Sequence, residues 1–377
     1  MAKVIGTGPT NSATQEAAHR LPGLDGLRAV AAAMVLIPHA EHILANLGLP
    51  HHLTDHPWLS GLARLGVVLF FVLSGFIITY RLCMEERSQG VITIRRFYIR
   101  RILRIWPLYF LIVMLALGPL AEISIFQIPG YTAETLRGQI GLKLALYAGM
   151  LPSLVPLLAG LVPTAAHLWS IGTEEQFYLV WPWLMRWFHR WRLTMMLSII
   201  ALHVLVESAL HGDAGASMPH RAVLMSFWYH FSIDHLALGG LMALIRLNSD
   251  RLLRIIANKV TLLGAVILAA LISTGHFDPP THAERTVAAL FGLIILGVST
   301  GQLHILERAP FRYLGRISYG IYMYHVLVAV AVVNGLHPYT TSPIVLLAAV
   351  VISVIAMAAL SYHTFEAYFL RLKQRYA

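Results

Sequence analysis

Two residues of one hydrophobic stretch frame the chemistry. Arg28 and His39 lie eleven positions apart, which is three helical turns plus about 20°. Both therefore share one face, with a rise of roughly 16 Å between them. A guanidinium at the aqueous rim and an imidazole deep in the membrane would line one vertical path. An imidazole there suits a general base or a transient covalent carrier. Pro38 loosens the helix just before the ring. The plainer alternative is an arginine that snorkels and a histidine bonded to a neighbouring carbonyl.

Three further groups carry chemistry-bearing residues. "RRFYIRRILRIWP" places Arg100, Arg101 and Arg104 at helical spacing, with Phe97, Ile102, Leu103 and Ile105 between them. That reads as an amphipathic helix on a membrane surface. Arginine forks suit bidentate phosphate binding, and anionic lipid headgroups are the plainer partner. "HLWSIGTEEQFYLVWP" gathers His167, Trp169, Ser170, Glu174, Glu175, Gln176 and Tyr178 at a helix mouth. A carboxylate half-desolvated there is suited to acid–base work, whereas a capped helix start would account for Glu175 alone. "LGRISYGIYMYH" brings Ser318, Tyr319, Tyr322 and His325 onto another helix. An interfacial aromatic belt explains its tyrosines better than its histidine. Cys83 is the one cysteine, so no disulfide forms within the chain.

These groups need elements that span a bilayer. Of 377 residues 57% are hydrophobic and only 12% charged, about half the charge of a soluble domain. That excludes a soluble enzyme, a disordered chain and a disulfide-stapled domain. Long uncharged runs favour helices over a membrane β-barrel. The expected fold is an all-α polytopic bundle with ten spans near 27–44, 61–80, 106–126, 171–187, 193–210, 222–245, 260–274, 286–303, 317–336 and 344–366. Prolines interrupt 141–162, which reads as broken or re-entrant. With that segment not crossing, 23 of the 28 lysines and arginines fall on one side. This is the positive-inside pattern, with both termini cytoplasmic. If it crossed, the bias would vanish. The net charge of +10 thus sorts to one face of a membrane, and no nucleic-acid partner is expected. No long apolar run precedes residue 20, so no cleavable signal peptide is expected. His39, Glu41, Glu174, Glu207, Asp234, His235, His325, His363 and Glu366 fall in or near spans. Ionisable groups at such depth face a protein interior or a wet cavity. Asp234 and His235 read as mid-helix and pair across the bundle.

Taken together the motifs resemble acyltransferase family 3. The resemblance rests on "GLDGLRAVAAAMVLIPH", "GVVLFFVLSGF", "RRFYIRRILRIWPLYF", "HLWSIGTEEQFYLVWP" and "LGRISYGIYMYH", in that order over 21–370. It implies ten helices in one acyltransferase domain at 21–370. A polar tail at 1–20 and a basic tail at 371–377 would flank it. It also implies transfer of an acyl group, usually acetyl from acetyl-CoA, to a hydroxyl of an envelope or secreted carbohydrate. An inner-membrane protein is implied, in contact with the bilayer, acyl-CoA and a carbohydrate acceptor, with no metal. The family's motifs fall on Arg28 and His39; on Arg100, Arg101 and Arg104; and on Trp169, Ser170, Glu174, Gln176 and Tyr178. Some relatives carry a further extracytoplasmic domain. This sequence ends eleven residues after the last expected helix, so that part is not expected here.

The site implied on this reading has three parts. His39, Arg28 and Glu174 would be catalytic, with Glu174 orienting the imidazole. Arg100, Arg101, Arg104, Ser318, Tyr319 and His325 would hold the acyl-CoA, Tyr319 or His325 donating to the thioester oxygen. His167, Trp169, Ser170, Gln176 and Tyr178 would face the acceptor. Two alternatives stay open: acylation of a small glycosylated metabolite, and export of an anionic solute by a secondary transporter.

Overall fold

The computed structural model describes residues 21–51, 57–212, 218–273 and 283–375. The expected polar tail at 1–20 lies outside them. Among the described residues the chain is helical, with no strand. The main helices are α1 (Leu24–Asn46), α2 (Pro57–Gln89), α3 (Ile94–Leu117), α4 (Ile140–Ala148), α5 (Trp169–Trp187), α6 (Arg192–His211) and α7 (Arg221–His230). They continue as α8 (Ile233–Asn248), α9 (Asp250–Ile256), α10 (Lys259–Ser273), α11 (Ala283–Ser299), α12 (Ala309–Leu336), α13 (Pro343–His363) and α14 (Phe365–Arg375). Among the described residues six helices are long and apolar enough to cross a membrane, and a seventh forms if α9 and α10, bent by 56°, count as one broken span. The chain is a multi-pass membrane protein.

Three elements differ from the expected pattern. The arginine-rich stretch is not a separate surface helix. It forms the first turns of α3, which runs unbroken through Pro107. The proline ring removes one backbone bond, but neighbouring helices tolerate this in a bundle. The stretch expected as one span at 222–245 breaks at Phe231 and Ser232 into α7 and α8. Asp234 therefore stands in the first turn of α8 rather than mid-helix, where the helix dipole favours a carboxylate. The last span stops at His363, and α14 begins at Phe365 with Glu366 in its first turn. Burial pushes the Glu366 carboxyl above the usual range, against the pull of Arg104. The segment after α3 is indeed broken: α4 is followed by short turns at Pro152–Leu154, Val155–Leu158 and Pro163–Leu168.

Two close helix crossings set the frame. α2 packs along α8, and α1 along α12. A Cβ on Gly75 would lie 1.9 Å from the Leu236 carbonyl oxygen, and one on Gly239 would lie 2.1 Å from that of Val72. Only glycine lets the two backbones approach so closely. At the other crossing a Cβ on Gly315 would meet the Asp25 carbonyl oxygen at 1.8 Å. These contacts fix α1, α2 and α12 around one space, which α3 and α5 close.

Partly buried ion pairs tie the start of α2 to its neighbours. Arg64 donates to both carboxylate oxygens of Glu284, at 2.9 and 2.8 Å. Arg285 bonds Asp234 at 2.8 Å and also Glu207. His203 lies 3.6 Å from Asp234. The network joins α2, α6, α8 and α11, so the pairing expected for Asp234 is present. Asp234 is 3% exposed. Its replacement by alanine would take the buried carboxylate from the Arg285 guanidinium, which keeps Glu207, at a cost of about 1–3 kcal/mol. Thermal unfolding of the purified D234A protein should show a lower midpoint than D234N, which keeps the shape and one acceptor.

Candidate active site

A cavity of about 80 Å³ lies among α1, α2, α3, α5 and α12. That is room for several waters. Arg28, Arg101 and Arg104 line one part, and Ser74, Glu174 and Tyr178 another. Ser170, Ser318, Tyr319 and Tyr322 complete its polar wall. Three guanidiniums thus converge from α1 and α3. Arg28 pairs with Asp25 at 3.7 Å. Arg101 stacks over the Phe97 and Tyr178 rings at 5.6 and 5.5 Å. Its Nε is buried without a hydrogen-bond partner. Arg100 is turned away. It bonds Glu85 at 3.2 Å and does not line the cavity. Of the three arginines expected on the donor, Arg101 and Arg104 line the cavity; Arg28, expected among the catalytic residues, lines it with them.

Glu174 is held by hydroxyls. One oxygen accepts from Ser74 at 2.8 Å, the other from Tyr178 at 2.6 Å. His39 is not its neighbour. The His39 ring bonds the Val35 carbonyl at 2.8 Å and meets the edge of the His325 ring, centroids 4.9 Å apart. The His325 ring in turn meets His167 at 4.8 Å. Three histidines from α1, α12 and the turn before α5 therefore stack edge to face. A carbonyl only accepts, so Nδ1 of His39 donates to Val35. Likewise Nδ1 of His325 donates to the Tyr322 carbonyl at 2.5 Å. In each neutral ring this leaves Nε2 as a lone pair. The His325 Nε2 is buried and unpartnered. In the neutral ring that nitrogen is a lone pair open to a proton, whereas donation to a thioester oxygen would need it protonated.

Tyr322 separates the cavity from these rings. It lines the cavity, and its ring lies 5.6 Å from both His167 and His325. Its hydroxyl lies 2.6 Å from Ser170 Oγ and donates to the His167 carbonyl at 2.8 Å. The Tyr319 hydroxyl donates to the Ile105 carbonyl at 2.7 Å, and Ser318 Oγ to Gly315 at 2.9 Å. Both line the cavity that Arg28, Arg101 and Arg104 line. The expected acceptor group divides. Ser170 and Tyr178 reach the cavity, while Gln176 bonds the Met150 carbonyl at 2.8 Å and Trp169 lies under the Arg64 guanidinium at 4.8 Å. His167 joins the other two imidazoles. Residue spacing did not single out Ser74 as a partner for Glu174, although it lies inside the "LSGF" motif, nor Tyr322 as the divider.

An apolar helical bundle thus holds a basic cavity on one side of an imidazole cluster. The chain belongs to the acyltransferase family 3, whose acyltransferase domain matches residues 21–362. It is 25% identical over 328 residues to the peptidoglycan O-acetyltransferase OatA of Listeria monocytogenes, covering 81% of this chain and 49% of that protein. It is 28% identical over 333 residues to YrhL of Bacillus subtilis, named as a candidate peptidoglycan O-acetyltransferase, covering 81% and 48% respectively. The chain spans about half the length of these curated relatives. No solved structure matches it.

Proposed function

We propose that the protein is an inner-membrane O-acyltransferase that moves an acyl group, acetyl for preference, from cytosolic acyl-CoA to a carbohydrate hydroxyl. On this reading residues 21–370 form one domain of ten spans with both termini cytoplasmic, flanked by short tails. The carrying observation is the cavity where Arg28, Arg101 and Arg104 face one another beside Ser318 and Tyr319. Guanidinium forks match phosphate oxygens, and the acyl donor is a polyanion. Family membership favours transfer over the transporter alternative. The names of the relatives make a glycan polymer such as peptidoglycan the preferred acceptor, ahead of a small glycosylated metabolite.

The chemistry follows from the tautomers. His39 Nε2 accepts the proton of the acceptor hydroxyl. The freed oxygen attacks the thioester carbonyl, the carbon–sulfur bond breaks, and the thiolate leaves with that proton. Direct transfer needs no covalent enzyme intermediate. Tyr322 must yield for the acyl arm to pass from the cavity to His39. Glu174, held by Ser74 and Tyr178, faces Arg101 across the cavity and helps set its charge rather than orienting His39.

Two measurements test the reading. Purified protein given acetyl-CoA and a muropeptide acceptor should release free CoA; silence with every acyl-CoA and acceptor offered would refute it. Arg101→Ala removes a charged hydrogen-bond donor, an interaction of about 2 kcal/mol. It should raise KM for the donor by about 30-fold with a smaller change in kcat. A fall in kcat alone would take Arg101 out of donor binding.

A further inference from the structure

A second cavity opens where the end of α2, the α5–α6 turn and the end of α8 meet. Its volume is about 310 Å³. Its wall carries Arg87, His189, Arg190 and Arg192 against one carboxylate, Glu86. Arg192 is committed to the fold: it donates twice to the Met185 carbonyl, at 3.0 and 2.8 Å, and pairs with Glu86 at 2.6 Å. That pair neutralises the acid. Among the described residues Arg87 bonds two neutral acceptors, the Leu247 carbonyl at 3.1 Å and Asn248 Oδ1 at 2.5 Å, both through Nη2, and makes no ion pair. Arg190 is exposed and makes no ion pair among the described residues. Two guanidinium charges therefore face this space without a counter-charge.

Leu193 and Leu244 add an apolar edge. Leu193 is 53% exposed, and Trp191, between Arg190 and Arg192 in the chain, is 67% exposed. A basic cavity with an amphipathic lip suits a group that is anionic at one end and apolar or aromatic at the other. We propose that this cavity binds a phosphate ester, with Arg87 and Arg190 as its ligands. Two sources offer that chemistry: the headgroup of an anionic phospholipid, and the nucleotide end of an acyl-CoA. α2 links the two cavities. Ile78 lines the central one and Arg87 the second, and nine residues of helix span about 13 Å. A long nucleotide-tagged arm can bridge that distance. The site does not depend on the identity of the acyl donor, because the lipid source tests it independently.

The test uses the full chain in phosphatidylcholine nanodiscs, as wild type and as the R87Q/R190Q double variant. Titration with CoA and with phosphate-free pantetheine reads the nucleotide source. Native mass spectrometry after adding phosphatidylglycerol reads the lipid source. Loss of two charged contacts should weaken one of these ligands at least tenfold. Weakened CoA with unchanged pantetheine assigns the nucleotide; weakened phosphatidylglycerol retention with unchanged CoA assigns the lipid. Equal binding of all probes by both proteins overturns the proposal. Should the double variant melt early, R190Q alone decides by the same criteria, since Arg190 makes no ion pair whose loss would unfold the chain.

Discussion

Replacing His39 by alanine should lower turnover by about 10²–10⁴-fold, the range that a positioned general base contributes. The expectation follows from what holds the ring. Its Nδ1 is tied to the Val35 carbonyl, one turn back on the same helix, at 2.8 Å. The other nitrogen keeps its lone pair, and the ring meets that of His325. Among the described residues no acid holds the ring, so the truncation removes one neutral hydrogen bond, worth about 1 kcal/mol. α1 keeps its packing on α12 through Ala32, Leu36 and Ala40. Loss of activity should therefore come without loss of protein. The measurement is CoA release per mole of monodisperse enzyme, with the thermal midpoint recorded alongside. H39A turning over within threefold of wild type would remove the ring from the chemistry. A collapse of the midpoint with activity intact per folded molecule would make it a structural residue. His39→Gln sharpens the test. It retains a donor for Val35 yet has no basic nitrogen, so it should be as inactive as H39A.

The family motifs made the parts of this arrangement legible, but not their assembly. Within one helix, spacing puts Arg28 and His39 on a face, and the structure keeps Arg28 at the cavity and His39 farther along α1. Spacing is silent about which helix stands opposite. His39, His167 and His325 come from three motifs, and each had a separate role before the fold brought them into one stack. Glu174 met the opposite fate, drawn away from His39 by Ser74 and Tyr178. Hydropathy located the long helices well because uncharged runs have few other uses. It missed the break at Phe231 and Ser232, where neither proline nor glycine marks the turn. It also separated the arginine helix from α3, because a proline inside a pattern ordinarily signals a boundary. Arg64 and Arg285, counted only as charges outside the membrane, turned out to hold four helices together.

The second large effect is expected from a residue with no functional group. Gly315→Ala adds one carbon that would sit 1.8 Å from the Asp25 carbonyl oxygen and 2.4 Å from its carbon. Those atoms belong to the backbone of α1, not to a flexible side chain, so α1 and α12 must part by about 1 Å to relieve overpacking. Asp25 lies one turn from Arg28, and Gly315 one turn from Ser318 and Tyr319. The displaced backbones are thus the ones that hold opposite walls of the central cavity. Misplacement of about 1 Å at a reacting centre can cost 10²-fold in rate, so G315A should lose about that much turnover. The stability cost, about 1–3 kcal/mol, should leave the protein folded in the membrane. Gly264→Ala is the matched control: nothing lies within 4 Å of its Cβ position, and alanine improves helix propensity. G264A should match wild type in rate and melt no lower. If G315A also matched wild type, the α1–α12 crossing would be compliant, and the catalytic spacing would have to be set by another pair of helices.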